Sequence, residues 1–193
     1  MSTFLHIQLP PGAFDQALAG QRGGQEALYR ALATPVYTLL RRLVARPAIA
    51  EELLQEVFID VLRNLHTCQG PETFPGWVRS VAVNKAMMHL RSPWHRALLP
   101  VRSEALHSHP APPGSEDDAW SGPLERALNA LPAVSRAIVW LHDVEGYTHG
   151  EIARLYRRTP GFSRSQLSRA HEALRGYLEP STGELSCTLA SRH

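Results

Sequence analysis

Two helices joined by a short turn are predicted by residues 147–178, which read YTHGEIARLYRRTPGFSRSQLSRAHEALRGYL. Thr148 suits the N-cap of the first helix, because its hydroxyl can accept a hydrogen bond from a backbone N–H of the first turn. Thr159 is a second N-cap, and Pro160 suits the first helical position, where a missing N–H costs nothing. The buried face of the first helix is expected to include Ile152.

The second of these helices is rich in arginine. Six arginines and two glutamates lie between residues 150 and 178. Leu167, Ala170 and Leu174 are spaced to share one buried face, so the arginines point outward or flank that face. A basic second helix is typical of a helix-turn-helix that enters the major groove of DNA. An ordinary helical hairpin with a solvated basic face would show the same pattern.

Composition places the chain among globular proteins rather than disordered ones. It has 193 residues, a formal net charge of +2 and 44% hydrophobic residues, enough for one medium domain or two small ones. Lys85 is the only lysine. Cys68 and Cys187 are far apart, which argues against a disulfide scaffold and a cysteine zinc site. No apolar run reaches bilayer length and the N-terminus lacks a signal pattern, so we expect a cytoplasmic protein without membrane insertion.

The rest of the chain also follows a helical period. Apolar residues recur at helical spacing from residue 26 to about 91, and a second set begins at Pro123. We therefore predict an all-α protein with two small helical domains, a bundle of three to four helices followed by a four-helix helix-turn-helix domain. A segment rich in proline, serine and acid forms a flexible linker between them. The predicted units are an N-terminal extension (1–24), the first domain (25–102), the linker (103–122), the second domain (123–178) and a tail (179–193).

Four segments in order resemble one bacterial family. EGYTHGEIARLYRRTPGFSRSQLSRAHEALR (145–175) resembles the C-terminal DNA-binding domain of sigma factors of the extracytoplasmic function type. Upstream, LYRALATPVYTLLRRLV (28–44), AEELLQEVFIDVLRNL (50–65) and FPGWVRSVAVNKAMMHLR (74–91) resemble successive segments of that family's promoter-melting domain. The resemblance implies a factor that binds core RNA polymerase and promoter DNA. An anti-sigma factor is a further partner that is common in the family.

An acidic stripe in the second upstream segment is the candidate polymerase-binding surface. On a helix its members fall opposite the leucines, and a surface of one charge sign suits a basic partner. A solvated acidic face is the alternative that the residues alone leave open. By resemblance, this segment grips the largest polymerase subunit. The candidate residues are Glu51, Glu52, Gln55, Glu56 and Asp60.

The third upstream segment lacks acidic residues and interleaves basic and aromatic side chains. Such a surface suits single-stranded DNA, because cations follow the phosphates and aromatic faces stack on unpaired bases. By resemblance, it opens the minus-ten element. The candidate residues are Trp77, Arg79, Asn84, Lys85 and Arg91, with Trp94, Arg96 and Arg102 extending the pattern. Trp77 lies on the apolar face, which also favours a place in the core.

The turn and the second helix of the C-terminal domain supply the candidate minus-thirty-five readers. Arginine can bind phosphates or the N7 and O6 atoms of guanine. The candidates are Arg157, Arg158, Ser163, Arg164, Ser165 and Arg169. The chain departs from the family pattern at Ile49 and His89, where acids are usual, and at Gln166, where arginine is usual. Arg157 replaces a turn glycine, and Ser163 replaces a buried valine.

No constellation predicts catalysis, a metal or a cofactor. His107 and His109 lack further ligands at metal spacing, and His66 with Cys68 lacks an orienting third group. We therefore predict a non-enzymatic promoter-specificity factor. The departures at Ile49, His89 and Gln166 leave open a helix-turn-helix regulator that binds duplex DNA without polymerase. An interaction protein that binds no DNA is a third hypothesis.

Overall fold

The computed structural model describes Phe4 and residues 7–92 and 122–178. These ranges hold eight α-helices and no strand, which confirms the all-α prediction. The helices are α1 (Ala13–Leu18), α2 (Arg22–Val44), α3 (Pro47–Arg63), α4 (Phe74–Arg91), α5 (Pro123–Ala130), α6 (Ala133–Val139), α7 (His149–Tyr156) and α8 (Pro160–Leu178). The predicted tail, nearly all of the predicted linker, and Trp94, Arg96 and Arg102 lie outside the described residues.

The first domain packs α2, α3 and α4 around one apolar core. Most of the apolar residues at helical spacing are buried, including Leu32 and Leu40 of α2, Val57 of α3 and Val78 of α4. Leu62 of α3 and Met88 of α4, which the same spacing assigned to the core, are instead exposed, because they lie at the edge of the buried face. Proline stands at the first or second position of α3 and α4, where it ends the preceding turn without losing a helical hydrogen bond. The core therefore follows from helical period and proline placement.

Helix α1 belongs to this domain, although its residues precede the predicted boundary at residue 25. Phe14 is buried, and its ring meets the edge of Phe74 with centroids 5.5 Å apart. Helix α2 begins at Arg22, so the packed unit starts upstream of the predicted first domain. The close approach of α1 to α2 depends on Gly24, where an added Cβ would lie 2.4 Å from the backbone nitrogen of Ala17.

We expect Gly24→Ala to destabilise the first domain. A methyl group at that position would collide with backbone rather than with a flexible side chain, and such overpacking costs about 1–3 kcal/mol. Gly23→Ala is the matched control, because nothing lies within 4 Å of its added Cβ and alanine favours the helix. Urea unfolding followed by circular dichroism would compare the two. Equal stability of the two variants would contradict the close packing of α1 on α2.

The second domain contains the four predicted helices. Breaks fall at Pro132, at Gly146 with its φ of +75°, and between Arg157 and Pro160. A π-helical turn, Trp140–Val144, extends α6. Helix α8 buries Leu167, Ala170 and Leu174 against the rest of the domain, as the spacing predicted.

The two domains contact each other directly. Helix α2 packs against α6, and α4 packs against α7. Arg42 of α2 forms an ion pair with Glu125 of α5, and its guanidinium lies 4.9 Å from the ring centroid of Trp140. Arg79 of α4 reaches the carboxylate of Glu145 at 3.3 Å. Surfaces of both domains therefore face each other.

Candidate nucleic-acid and protein interfaces

The acidic stripe lies on the outer face of α3, opposite the buried side of that helix. Its first four members are exposed, and Asp60 is half-buried. Glu51, Glu52 and Gln55 make no hydrogen bond or ion pair with the described residues. This part of the stripe is therefore open to a partner.

The other end of the stripe is occupied by the candidate DNA residue Lys85. Its Nζ atom lies 2.9 Å from the carboxylate of Asp60 and 3.2 Å from that of Glu56. The hydrogen bond to Asp60, followed by that to Glu56, raises the pKa of Lys85, although burial opposes the shift. The lysine charge is thus partly neutralised by α3, and Lys85 joins the polymerase-binding and minus-ten candidates into one connected surface.

The other minus-ten candidates differ in how far their side chains are exposed to solvent. Asn84 is exposed and Arg91 is half-buried, with its Nε donating to the carbonyl of Met87 at 3.2 Å. Trp77 packs partly against the core, and its ring lies 6.0 Å from that of Phe74. In this structure, Trp77 therefore contributes to the core at least as much as to the surface.

Arg79 faces the second domain rather than solvent. Its Nη1 donates to the backbone carbonyl and to the carboxylate of Glu145, each at 3.3 Å, and its guanidinium lies 5.0 Å from the Tyr147 ring centroid. The side chain of Glu145 is only 5% exposed, so this carboxylate needs a cationic partner. Arg79 is thus engaged within the protein and is not presented to DNA in this arrangement.

The helix-turn-helix begins with a capping box formed by Thr148 and Glu151. The sequence predicted the Thr148 cap, and the structure adds the return bond from Glu151. The backbone N–H of Glu151 donates to Thr148 Oγ1 at 3.3 Å, and the backbone N–H of Thr148 donates to Glu151 Oε2 at 2.8 Å. These bonds satisfy two backbone donors at the start of α7. The backbone hydrogen bond, together with the bond from the threonine hydroxyl, lowers the pKa of Glu151.

The turn itself places arginine where glycine is usual. Arg157 has a φ of +53°, a left-handed conformation that carries strain for residues with a Cβ. The next backbone N–H, that of Arg158, donates to the carbonyl of Ala153 at 2.9 Å. This bond closes α7 and sets the entry of α8.

The structure exposes five of the six minus-thirty-five candidates: Arg157, Arg158, Arg164, Ser165 and Arg169. Ser163 is different, because its side chain is fully buried and its Oγ lies 3.1 Å from Nδ1 of His149. The prediction that Ser163 reaches DNA is therefore corrected. Phe162 is only half-buried and packs against Tyr156, so a small polar residue fills the position under the turn.

A histidine and aspartate network below α8 was not predicted. His142 Nδ1 lies 2.8 Å from Asp143 Oδ1, and His171 Nε2 lies 2.7 Å from Asp143 Oδ2. The ring of His142 also stacks on that of His149, with centroids 4.5 Å apart. Burial raises the pKa of Asp143, but the histidine hydrogen bonds outweigh it and lower the pKa overall. The network ties α8 to the π-helical turn, and no sequence spacing signals it, because His171 is distant in the chain.

Comparison with known proteins assigns both domains. The model of sigma-70 region 2 matches residues 28–96, and that of sigma-70 region 4 matches residues 121–174. The RNA polymerase sigma factor CarQ of Myxococcus xanthus is 32% identical over 171 residues, which cover 89% of this chain and 96% of CarQ. The chain belongs to the RNA polymerase sigma factors of the ECF type. The predicted family resemblance is therefore confirmed.

Other similar proteins differ in how much of their length this chain covers. The ECF RNA polymerase sigma factor SigE of Mycolicibacterium smegmatis is 32% identical over 82% of this chain, but the chain spans only 63% of SigE. Sigma factor RpoE of Bartonella quintana, solved in complex with the anti-sigma factor NepR, aligns with a TM-score of 0.52 at 20% identity. That alignment covers 81% of this chain and 97% of RpoE. Across the described helices, none has the length and apolar content to span a bilayer.

The structure was searched for side chains that could bind a metal ion together. Within residues 7–92 and 122–178, no group of three or more histidine, cysteine, aspartate or glutamate side chains is arranged to hold a metal ion. His107 and His109 lie outside the described residues. The assignment of individual side chains to polymerase or DNA contacts stays a prediction.

We expect the capping box to give the second domain a pH-dependent contribution to stability. The folded pKa of Glu151 is below its ordinary value of 4.5, so its contribution is complete above about pH 4.5 and is lost as the pH falls through the folded pKa. Glu151→Gln retains an acceptor but does not titrate. The difference in melting temperature between the wild type and this variant should shrink as the pH falls from about 6 to about 3.5, a range that spans the ordinary carboxyl pKa.

Differential scanning calorimetry across this range would measure the effect. Thr148→Ala is the companion variant, because it removes the cap itself and should cost about 1 kcal/mol at neutral pH. A pH-independent difference between wild type and Glu151→Gln would contradict the proposed ionised cap.

Proposed function

We propose that this sigma factor binds core RNA polymerase and directs it to promoters that contain a minus-ten and a minus-thirty-five element. The observation that carries the proposal is the row of exposed arginines on the turn and the outer face of α8, in a domain that matches sigma-70 region 4. Arg158, Arg164 and Arg169 make no ion pair with the described residues. Arginine forks of this kind match phosphate oxygens and guanine edges.

The first domain supplies the polymerase contact and the contact with melted DNA. The open part of the acidic stripe, Glu51, Glu52 and Gln55, is free to meet a basic partner surface, and charge complementarity would speed the encounter. Asn84 and Arg91 are the members of the minus-ten set that remain accessible. Lys85 and Arg79 become available to DNA only when Asp60 and Glu145 release them.

Regulation by an anti-sigma factor is part of the proposal. The sigma factor RpoE of Bartonella quintana, whose fold aligns with that of this chain, was solved in complex with an anti-sigma factor. A partner of this kind would have to cover at least one of the two surfaces described above. Affinity capture from the native host, followed by mass spectrometry, would identify it.

We expect Arg164→Ala to reduce transcription only from promoters whose minus-thirty-five element is intact. Loss of one bidentate arginine contact costs about 1–3 kcal/mol of discrimination, a factor of roughly 5 to 150. Run-off transcription with core polymerase would compare one promoter with a copy in which that element is scrambled. Arg175→Ala is the matched control, because Arg175 is an exposed arginine in the last turn of the same helix.

The two promoter versions separate the possible roles of Arg164. An equal loss on both versions would contradict sequence reading by this residue. Tight binding of the wild type to duplex DNA without polymerase would instead favour a helix-turn-helix regulator.

We expect the double variant Glu51→Ala and Glu52→Ala to weaken capture of core polymerase about tenfold at low salt, with a smaller effect at high salt. Both carboxylates are exposed, and Glu52 attracts the half-buried His89, so circular dichroism of the variant would verify that the fold is retained. Glu72→Ala with Glu172→Ala removes the same charge from other exposed positions and serves as the control. Fluorescence anisotropy at two salt concentrations would measure both. Unchanged affinity of the first variant would refute the proposed surface.

A further inference from the structure

A cleft lies between the two domains, beside the Arg79 contact. It is shallow and open to solvent, with a volume of about 410 Å³. Asn84 and Arg91 of α4 line one wall, and Arg154 and Arg157 at the end of α7 line the other. The cleft therefore exists only while α4 and α7 are in contact.

The walls of this interdomain cleft are predominantly positive. Three of the lining residues are arginines, and the only acid among them is Glu151. The carboxylate of Glu151 already accepts hydrogen bonds from the backbone N–H and the hydroxyl of Thr148, at 2.8 and 2.7 Å. The positive charge of Arg154 also lowers the pKa of Glu151, so this acid offsets part of the arginine charge, and the cleft keeps a net positive charge.

The arginines of the cleft retain most of their donors. Arg91 uses its Nε to reach the carbonyl of Met87, and Arg154 uses its Nε to reach the carbonyl of Gly150 at 3.4 Å. Neither these residues nor Arg157 makes an ion pair within the described part of the chain. The terminal guanidinium nitrogens, which form the planar fork, are thus available.

The backbone at Arg157 is strained, with a φ of +53°. The left-handed conformation there would be unstrained with glycine, yet the chain carries the residue whose side chain completes the cleft. Strained backbone of this kind concentrates at sites where a side chain has a binding role. The strain therefore fits a function for the Arg157 guanidinium on this wall.

We propose that the interdomain cleft binds a polyphosphate anion, either inorganic pyrophosphate or the phosphate chain of a nucleotide, and that the bound anion holds the two domains together. Three guanidinium groups from two walls match several phosphate oxygens at once, and charge-assisted bonds of this type are the strongest available to arginine. The exposed amide of Asn84 adds a neutral donor. This inference concerns a small ligand and does not depend on promoter recognition.

Isothermal titration calorimetry on the full chain tests the ligand class. Sodium pyrophosphate and GTP are expected to bind, whereas AMP, with one phosphate, should bind at least about tenfold more weakly because it meets fewer guanidinium groups. Equal affinity for pyrophosphate and GTP would show that the phosphate chain alone is recognised. At least tenfold tighter binding of GTP would identify a nucleotide as the ligand. Equal affinity for AMP and pyrophosphate, or no binding by either polyphosphate, would overturn the proposal.

Substitutions test the location of the site. Arg154→Gln and Arg91→Gln, on opposite walls, should each weaken pyrophosphate binding about tenfold or more. Arg175→Gln, which removes an exposed arginine outside the cleft, should leave affinity unchanged. Unchanged affinity in both cleft variants, or an equal loss in the control, would refute this site. Circular dichroism of each variant would verify that the helices are retained.

Hydrogen–deuterium exchange tests the coupling between the domains. Pyrophosphate should slow exchange in both α4 and α7 of the wild-type chain, because one ligand contacts both walls. At a ligand concentration near the wild-type Kd, the protection of both helices should be much smaller in Arg154→Gln than in the wild type. Protection of only one wall would overturn the two-domain site.

Discussion

The contact between Arg79 and Glu145 is the interaction on which the arrangement of the two domains depends. Glu145 lies almost entirely out of solvent, and a buried carboxylate without a cationic partner is strongly destabilising. Arg79 is that partner, and it comes from the other domain. The pair, reinforced by Arg42 with Glu125, holds α4 beside α7 and creates the cleft between them.

Attraction between opposite charges also joins the candidate DNA surface to the candidate polymerase surface. Lys85 was expected to follow DNA phosphates, and Asp60 was expected to meet polymerase, yet they meet each other at 2.9 Å. Both groups lie on neighbouring helices of one small domain, so their mutual attraction is local and immediate. A partner that engages one of them must compete with the other. Binding of polymerase and of DNA to this domain are therefore electrostatically linked in the proposed function.

In the second domain, polar contacts on the inner side of α8 hold this arginine-bearing helix in place. Its start is set by the hydrogen bond that closes α7 and by Ser163, which is buried against His149. Its middle is tied through His171 to Asp143 in the π-helical turn. These polar contacts lie on the inner side of α8, which leaves the outer arginines unpaired. Rigid support on one face and open charge on the other suit the DNA contact proposed for α8.

The sequence by itself determined the helices from α2 to α8, the order of the two domains and most of the arginine face of α8, but it did not indicate α1. Helical period, proline placement and the Thr148 cap are local signals, since each depends on residues within a few positions along the chain. The motifs that identified the sigma factor family are local in the same sense, since each is a contiguous stretch of the chain. The exposure of residues such as Arg164 followed from spacing alone.

Only the tertiary structure decided which charged side chains meet. Arg79 pairs with a residue 66 positions away, and the His171 contact with Asp143 spans 28 positions. Ser163 lies on the same buried face as Leu167, but only the structure shows that its hydroxyl meets His149 of the preceding helix. Contacts of this kind depend on the packing of helices that no spacing rule relates. For that reason the interdomain cleft and its three arginines were not predictable before the fold was known.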